Sequence, residues 1–215
     1  GGVLAYDNHV SPSAVGFDIA YGNKAVRLDA DADYARAHIA EIMDEIAAAI
    51  SFGMGRKNKE SVEATLFDSP IWDDIPVARA LKDTAQAQLG TIGSGNHYVD
   101  VFVDGDNAVW VGVHFGSRGL GHKLATHFIK AGGGKDGMHV APVSLRMDEE
   151  IEQQYWACME LAGEYAYAGR NWVCDRVAEI IGGVITDVVH NHHNYVWQER
   201  HFGRELIVIR KAATQ

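Results

Sequence analysis

The order of helix and strand signals is the feature of this sequence that most constrains its fold. Helical periodicity is found in four segments, at residues 33–50, 77–89, 119–130 and 147–181. Strand-like runs are found at residues 98–103 and 108–113, at 185–190, and at 195–199 and 205–210. Because helices and strands do not strictly alternate, the order favours an α+β fold over a doubly wound sheet. We expect mixed, mostly antiparallel sheets with flanking helices, in one domain over residues 1–215.

Turns and glycines set the expected limits of these elements. The segment at 104–107 (Asp-Gly-Asp-Asn) is typical of a hairpin turn, and Gly203 separates the last two strands. Residues 131–142 form a glycine-rich loop, and residues 53–59 form a basic loop. The longest helical stretch could be one helix or two, broken near Gly163 or Gly169.

Composition and charge limit the classes of partner. The 215 residues are 47% hydrophobic and 22% charged, which is typical of a soluble globular protein. Lys and Arg number 19 against 29 Asp and Glu, so the formal net charge is −10. A protein that coats nucleic acid needs a basic face to neutralise phosphates, so this charge argues against one. An enzyme that holds only nucleic-acid ends, through metal ions and a few cations, remains compatible with it.

The cysteines and the hydropathy pattern predict the cellular compartment. Cys158 and Cys174 lie in the same helical stretch, and 16 residues of continuous helix rise about 24 Å. A disulfide cannot cover that distance, so we expect two buried thiols in a reducing compartment. The sequence shows neither an apolar run long enough to cross a bilayer nor a signal peptide, so we expect a cytoplasmic protein without membrane contact.

Three histidines follow or end apolar runs and stand beside glycine or asparagine. They occur in Gly93-Ser94-Gly95-Asn96-His97, in His114-Phe115-Gly116-Ser117-Arg118-Gly119 and in Val189-His190-Asn191. Neutral imidazole is the commonest protein ligand for a transition metal. Glycines beside it allow backbone N–H groups to approach an anion such as a phosphate. The pattern therefore predicts a metal site next to a phosphate site.

These histidine motifs resemble those of a known family. Together with Gly16-Phe17-Asp18-Ile19, they look like four successive motifs of the RtcB-type RNA ligases, in the same order and with similar sequence between them. The resemblance covers nearly the whole chain. It implies an RtcB-like catalytic core that is incomplete at both ends relative to the family.

The resemblance implies a set of metal ligands. In that family a carboxylate, a bridging cysteine and three histidines hold two manganese ions, and the matching positions here are Asp18, His97, His114 and His190. Such ligands suit Mn²⁺, with Zn²⁺ as the alternative. Tyr21 stands where the family has the cysteine. A phenol with an ordinary pKa of ~10 bridges metals poorly, so we expect one ion rather than two. The alternative is that Tyr21 is not a ligand and simply packs over the pocket.

The resemblance also implies residues around a guanosine nucleotide. Asn96, Tyr98, Asp100 and Asn191 match family positions near the nucleotide and the metals. Arg118 could hold a phosphate bidentately, with help from Ser117. We assign the other histidines to solvent or ordinary packing: His9, His38, His122, His127, His139, His192, His193 and His201. Of these, His192 and His193 lie close enough to His190 in sequence to add weak metal affinity.

The implied reaction is GTP- and Mn-dependent ligation of RNA, as in tRNA splicing and RNA repair. An RNA 3′-phosphate or 2′,3′-cyclic phosphate end is joined to a 5′-hydroxyl end through a guanylylated histidine. That histidine lies beyond the Val-His-Asn motif in the family, and none of His192, His193 and His201 matches its context, so no residue is assigned as the catalytic nucleophile. The implied partners are RNA ends and GTP, with an activating protein as a further candidate. Two alternatives remain, a non-catalytic metal- and phosphate-binding paralogue and a metal-dependent phosphodiester hydrolase.

Overall fold

The computed structural model describes residues 1–135 and 140–214, so His139 lies outside the described residues. In chain order the elements are β1 (Gly2–Tyr6), β2 (His9–Val10), α1 (Pro12–Val15), β3 (Gly22–Asp29), α2 (Ala32–Ala37), α3 (Ile39–Ala49), a 3₁₀ turn (Thr65–Asp68), α4 (Ile71–Asp74), α5 (Pro76–Gln88), β4 (Tyr98–Val103), β5 (Val109–Phe115), α6 (Arg118–Ala131), β6 (Leu145–Arg146), α7 (Glu150–Ile181), β7 (Val184–His192), β8 (Asn194–His201) and β9 (Arg204–Lys211).

The strands form three antiparallel sheets. The largest has the strand order β4-β5-β3-β7, a second has the order β1-β9-β8, and β2 pairs with β6. This arrangement confirms an α+β fold with mostly antiparallel pairing. The hairpins predicted at 98–113 and 195–210 are both present. The sequence signals missed β3, although it is a central strand of the four-stranded sheet.

Helix α7 is the element on which the rest of the chain packs. Its C-terminal half places Val173, Val177 and Ile181 against the four-stranded sheet and α3. Its N-terminal half packs Tyr155 and Leu161 in a second core with α5, α6 and the three-stranded sheet. Burial of each of these large apolar side chains contributes roughly 1.5–3 kcal/mol to the stability of the fold. One helix therefore joins both cores.

Two helix predictions need correction or refinement. Helix α7 runs unbroken for 32 residues. A Cβ atom at Gly163 would lie 3.0 Å from the Tyr195 ring, so this glycine permits close packing rather than a break. The helix predicted at 33–50 is instead two helices that meet at His38. There the imidazole Nδ1 lies 2.9 Å from the carbonyl oxygen of Tyr34, and the two rings stack.

The two faces of the four-stranded sheet differ in what they contact. We call the face toward α7 the inner face; it carries Val26, Val111 and Val113. On the opposite, outer face, Tyr98, Phe102 and Val189 are exposed. Cys158 and Cys174 are free and buried as predicted, and burial raises the pKa of both thiols to about 12. In the described segments no helix has both the length and the apolar character that crossing a membrane requires.

Candidate functional site

A row of polar side chains crosses the outer face at one end of the four-stranded sheet. The register places Tyr98 opposite His114, His114 opposite Asn23, and Asn23 opposite Asn191. Residues directly opposite each other in antiparallel strands carry their side chains on the same face. The Tyr98 and His114 rings stack with their centroids 5.4 Å apart. Three of the predicted site residues therefore share one surface.

The loop between α1 and β3 brings Asp18 to this row. The Asp18 Oδ2 atom lies 3.1 Å from Nε2 of His97. A Cβ atom at Gly116 would lie 2.3 Å from Asp18 Oδ1, so only glycine at position 116 allows this approach. Asp18 Oδ1 is buried and has no hydrogen-bond partner within the described part of the chain. Asp18 and His97 are thus brought together as the sequence predicted.

Tyr21 occupies the centre of a histidine cluster. Its ring centroid lies 4.2 Å from that of His114, 5.0 Å from that of His193 and 5.3 Å from that of His97. Burial, and then the nearby Asp18 carboxylate, raise the pKa of Tyr21 to about 12. Its hydroxyl is buried without a hydrogen-bond partner among the described residues. At neutral pH position 21 therefore presents a neutral phenol to the three imidazoles.

The three polar contacts of His97 cannot all be hydrogen bonds in the same protonation state. Its Nδ1 atom lies 2.7 Å from the Ile92 carbonyl oxygen and 2.9 Å from Nη1 of Arg118. A neutral imidazole with hydrogen on Nε2 donates to Asp18 and accepts from Arg118. With hydrogen on Nδ1 it donates to Ile92, and its Nε2 lone pair then faces the carboxylate. The first arrangement satisfies the Asp18 and Arg118 contacts and leaves the Ile92 carbonyl without a donor from His97, whereas the second satisfies Ile92 alone.

The other two imidazoles of the cluster also face the site. His114 Nδ1 lies 3.0 Å from the Gly22 carbonyl oxygen, which leaves Nε2 as the acceptor nitrogen. Burial, followed by neighbouring His193, lowers the pKa of His114, so this imidazole is neutral at pH 7. His193 stacks on His114 at 5.4 Å, and its buried Nδ1 has no partner within residues 1–135 and 140–214.

Arg118 lies beside His97, and neither Ser117 nor Arg118 stands at an open surface. Arg118 has a backbone φ of +55°, and its guanidinium lies against Gly93, where a Cβ atom would be 1.8 Å from Nη2. Burial lowers the pKa of Arg118. Ser117 is fully buried, and its Oγ lacks a hydrogen-bond partner in the described ranges. Asn96 is exposed in the loop before His97, and Asp100 lies two residues beyond Tyr98 on the outer face. Phosphate and nucleotide contacts by these residues stay predictions.

His190 is not part of this cluster. It pairs with Lys24, whose Nζ bonds to Asn171 of α7 on the inner face. The His190 Nε2 atom accepts a hydrogen bond of 2.9 Å from Nε of Arg170, and the His190 ring stacks on Tyr167 at 3.9 Å. Burial, then the Arg170 charge, lower the pKa of His190 to about 3. The expected convergence of His190 with His97 and His114 is therefore wrong for this structure.

Strand periodicity explains the correction. Successive side chains of a strand point to opposite faces, so His190 and Asn191 cannot both face the outer site. Asn191 is on the outer face. With a period of two, the next residue that faces outward is His193, whose ring contacts Tyr21. His193 is therefore the third histidine of the cluster. The signal was present in the sequence, in the parity of positions 191 and 193.

Arg170 is a further residue that the sequence analysis missed. It is fully buried in α7, and its Nη1 donates to the carbonyl oxygens of Ala20 and Phe115, at 2.9 and 2.7 Å. Those two carbonyls belong to the segments that carry Tyr21 and Gly116. Arg170 thus ties both segments to one helix. A single arginine within a helical pattern gives no sequence signal of this role.

The donor set suits a divalent cation in its chemistry. Buried atoms without partners among the described residues include Asp18 Oδ1, the Tyr21 hydroxyl and His193 Nδ1. Orphaned polar atoms are costly and indicate a ligand or water position. In the described ranges, however, no three His, Cys, Asp or Glu groups are spaced to share one ion, and the Tyr21 ring lies between the imidazoles. An ion would require this ring and the Asp18–His97 contact to shift.

Comparison with known proteins identifies relatives over the whole chain. The family model described as tRNA-splicing ligase RtcB matches residues 1–75 and 71–215. The chain is 25% identical to the RNA-splicing ligase RtcB of Escherichia coli K12, over 99% of its own length and 60% of that protein. It is 27% identical to the tRNA-splicing ligase RtcB of Thermococcus kodakarensis, over 89% of the chain and 53% of that protein. The chain thus spans between half and about 60% of the length of these relatives.

Proposed function

The chain belongs to the RtcB family of tRNA-splicing ligases, and from that premise we propose that its outer-face cluster serves the joining of RNA ends. The proposed reaction joins a 3′-phosphate or 2′,3′-cyclic phosphate end to a 5′-hydroxyl end, with GTP and Mn²⁺. The observation that carries the proposal is the convergence of His97, His114 and His193 around Tyr21, beside the orphaned carboxylate oxygen of Asp18.

Asp18, His97, His114 and His193 would hold the divalent cation in this proposal. A bound cation would supply positive charge to phosphate oxygens, as phosphoryl and nucleotidyl transfer require. The acidic net charge of the chain is no obstacle, because the ion supplies the local positive field. The neutral phenol of Tyr21 cannot replace a bridging thiolate, so the proposal has one ion rather than two.

The chain's own residues prepare the imidazoles for this role. The Gly22 carbonyl holds His114 with Nε2 as the acceptor nitrogen. His97 can present the Nε2 lone pair only when its hydrogen is on Nδ1 and is donated to Ile92. Arg118 must then give up its bond to Nδ1, and its guanidinium becomes free to bind a phosphate. Asn96, Tyr98, Asp100 and Asn191, with Ser117, would surround the nucleotide.

A metal titration of two histidine variants tests the site. His193→Ala should weaken Mn²⁺ or Zn²⁺ binding by roughly tenfold or more, because it removes a ligand. His190→Ala is the matched control, three positions away on the same segment, and should change affinity little. Isothermal titration calorimetry of both variants decides the point. A loss with His190→Ala and none with His193→Ala would contradict the outer-face site.

The nucleophile separates a ligase from a binding paralogue. None of His192, His193 and His201 matches the context of the guanylylated histidine, so we expect no protein–GMP adduct and no RNA sealing by this chain alone. Incubation with radiolabelled GTP and Mn²⁺, followed by denaturing electrophoresis, measures the adduct. A labelled band at the mass of the chain would contradict this expectation, and its loss with His192→Ala or His201→Ala would identify the nucleophile. Tyr21 in place of a thiolate keeps the second candidate open, a non-catalytic protein that binds metal and phosphate.

A further inference from the structure

The loop of residues 53–59, which we call the basic loop, has a charge opposite to that of the whole chain. Its sequence, Gly-Met-Gly-Arg-Lys-Asn-Lys, contains three cations and no carboxylate, whereas the chain carries a net charge of −10. We propose that the basic loop, with the neighbouring Phe52, binds the backbone of the RNA strand whose end enters the outer-face site. This inference rests on the proposed function and assigns a binding surface to it.

The basic loop begins next to the histidine cluster. The backbone N–H of Gly53 donates to the Gly93 carbonyl at 2.6 Å, and Phe52 forms a parallel bridge with Gly93. The Arg118 guanidinium lies against Gly93 and contacts His97 at 2.9 Å. One residue, Gly93, therefore separates the start of the basic loop from the side chains of the site. In the proposal, a strand that reaches His97 continues along this loop.

Both ends of the basic loop are fixed, and its middle is free. Asn58 Nδ2 donates to the Leu89 carbonyl at 2.7 Å, and Lys59 Nζ donates to the Ala47 carbonyl at 3.1 Å, near the end of α3. The Lys59 ammonium is therefore occupied by a backbone carbonyl and is not counted as available to an external ligand. Arg56 and Lys57 lie between the anchors, are exposed, and make neither a hydrogen bond nor an ion pair with any residue in the described ranges. Two cations are therefore available to an external anion.

Exposed apolar side chains accompany these cations. Phe52 is 42% exposed and Met54 is 84% exposed. A Cβ atom at Gly53 would lie 3.5 Å from Cγ of Arg56, so the arginine stem folds back over the start of the loop. Cations that follow a backbone, together with an aromatic ring on which a base can stack, fit a single-stranded nucleic acid. Two free cations are too few for stable attachment to an anionic membrane, which takes clusters of four to eight.

Charge reversal in the basic loop tests the inference. The probe is a fluorescent single-stranded RNA with a 5′-hydroxyl, and the measurement is anisotropy over a series of salt concentrations. Arg56→Glu with Lys57→Glu should weaken binding by about tenfold or more, and should reduce the slope of log K against log salt by about 1.4, or 0.7 per lost phosphate contact. Arg56→Ala with Lys57→Ala should show the same direction and a smaller loss.

The control reverses two charges, one in the last turn of α6 and one four residues beyond its end. Lys130→Glu with Lys135→Glu changes the net charge equally, and Lys130 lies 12 helical positions, roughly 18 Å, from Arg118. It should alter affinity little. Phe52→Ala should weaken RNA binding by about fivefold or more without changing the salt slope, because stacking involves no counterion release.

The possible failures are distinguishable. Equal weakening by the two charge-reversed variants would overturn the basic-loop inference and leave the proposed function intact. The absence of RNA binding by the unmodified chain would contradict the RNA partner itself. Equal loss of binding to anionic phospholipid vesicles and to RNA would show a general anion contact and would also overturn the inference.

Discussion

The two faces of the four-stranded sheet carry histidines in similar number but in different surroundings. On the inner face, His190 stacks on Tyr167 and bonds to Arg170, and His192 is enclosed by Tyr167, Tyr195 and Trp197. On the outer face, the imidazoles surround a phenol and a carboxylate whose polar atoms lack partners in the described part of the chain. On the inner side His192 Nδ1 and Arg170 Nη2 also lack partners among the described residues, but the outer cluster combines such atoms with the Asp18 carboxylate, a group that attracts a cation.

The two faces also differ in charge, and this difference too favours a cation on the outer face. The inner face contains the buried Arg170 cation, whose proximity helps to lower the pKa of His190 to about 3 and of His192 to about 4, after burial. A second cation would be repelled there. The outer face contains the Asp18 carboxylate at 3.1 Å from His97. A divalent ion is therefore attracted to the outer cluster, and the inner histidines stay neutral as packing groups.

Removal of Arg170 should produce the largest effect. Arg170→Met leaves the carbonyls of Ala20 and Phe115 without their donor, and we expect the free energy of unfolding to fall by about 3 kcal/mol. The outer cluster should lose metal affinity with it, since those carbonyls position both segments. Urea unfolding measures the loss. Arg176→Met, in the same helix but in exposed ion pairs, should cost less than about 1 kcal/mol. Equal losses would show that Arg170 does not hold the site together.

The pH dependence of stability should report the inner face. The pKa of His190 in the folded chain, about 3, is below its ordinary value of 6.5. The folded state therefore binds this proton less readily than the unfolded chain. The stabilisation is complete above pH ~6.5 and is lost as pH falls towards ~3. His190→Asn should flatten this loss between pH 7 and 4.5, as measured by urea unfolding at each pH. A curve that stays as steep as in the unmodified chain would assign the effect to other groups.

Local signals recovered most elements but not the centre of the large sheet. The hairpin of β4 and β5 has a turn in which Asp104 Oδ1 accepts from the N–H groups of Asp106 and Ala108, and such local chemistry is readable in sequence. Strand β3 follows a turn at residues 18–21 that joins it to α1 and not to a partner strand, and its pairing with β5 and β7 is remote in sequence. Long-range pairing gives no local signal, so β3 was missed.

The candidate residues that could be predicted from the sequence were those that stand in a recognisable local motif. Asp18, His97 and His114 were found from motifs, and Tyr98 and Asn191 share their surface. The choice of His190 over His193 failed because a motif does not state which face of a strand a residue occupies. The role of Arg170 depends on carbonyl groups 55 and 150 residues away in the chain, and no pattern within α7 reveals it.

The smallest expected effect comes from Tyr21, and it sharpens the contrast between the faces. Tyr21→Cys replaces a phenol, whose pKa of about 12 keeps it neutral, with a group that becomes a thiolate on metal binding. Affinity for Mn²⁺ or Zn²⁺ should rise by roughly tenfold, or a second ion should bind, as measured by calorimetric titration. Tyr98→Cys is the control, because the Tyr98 ring also stacks on His114, with the centroids 5.4 Å apart, whereas the Tyr21 ring contacts His97, His114 and His193 together. Equal affinity and stoichiometry for Tyr21→Cys and the unmodified chain would mean that position 21 is packing and not a ligand.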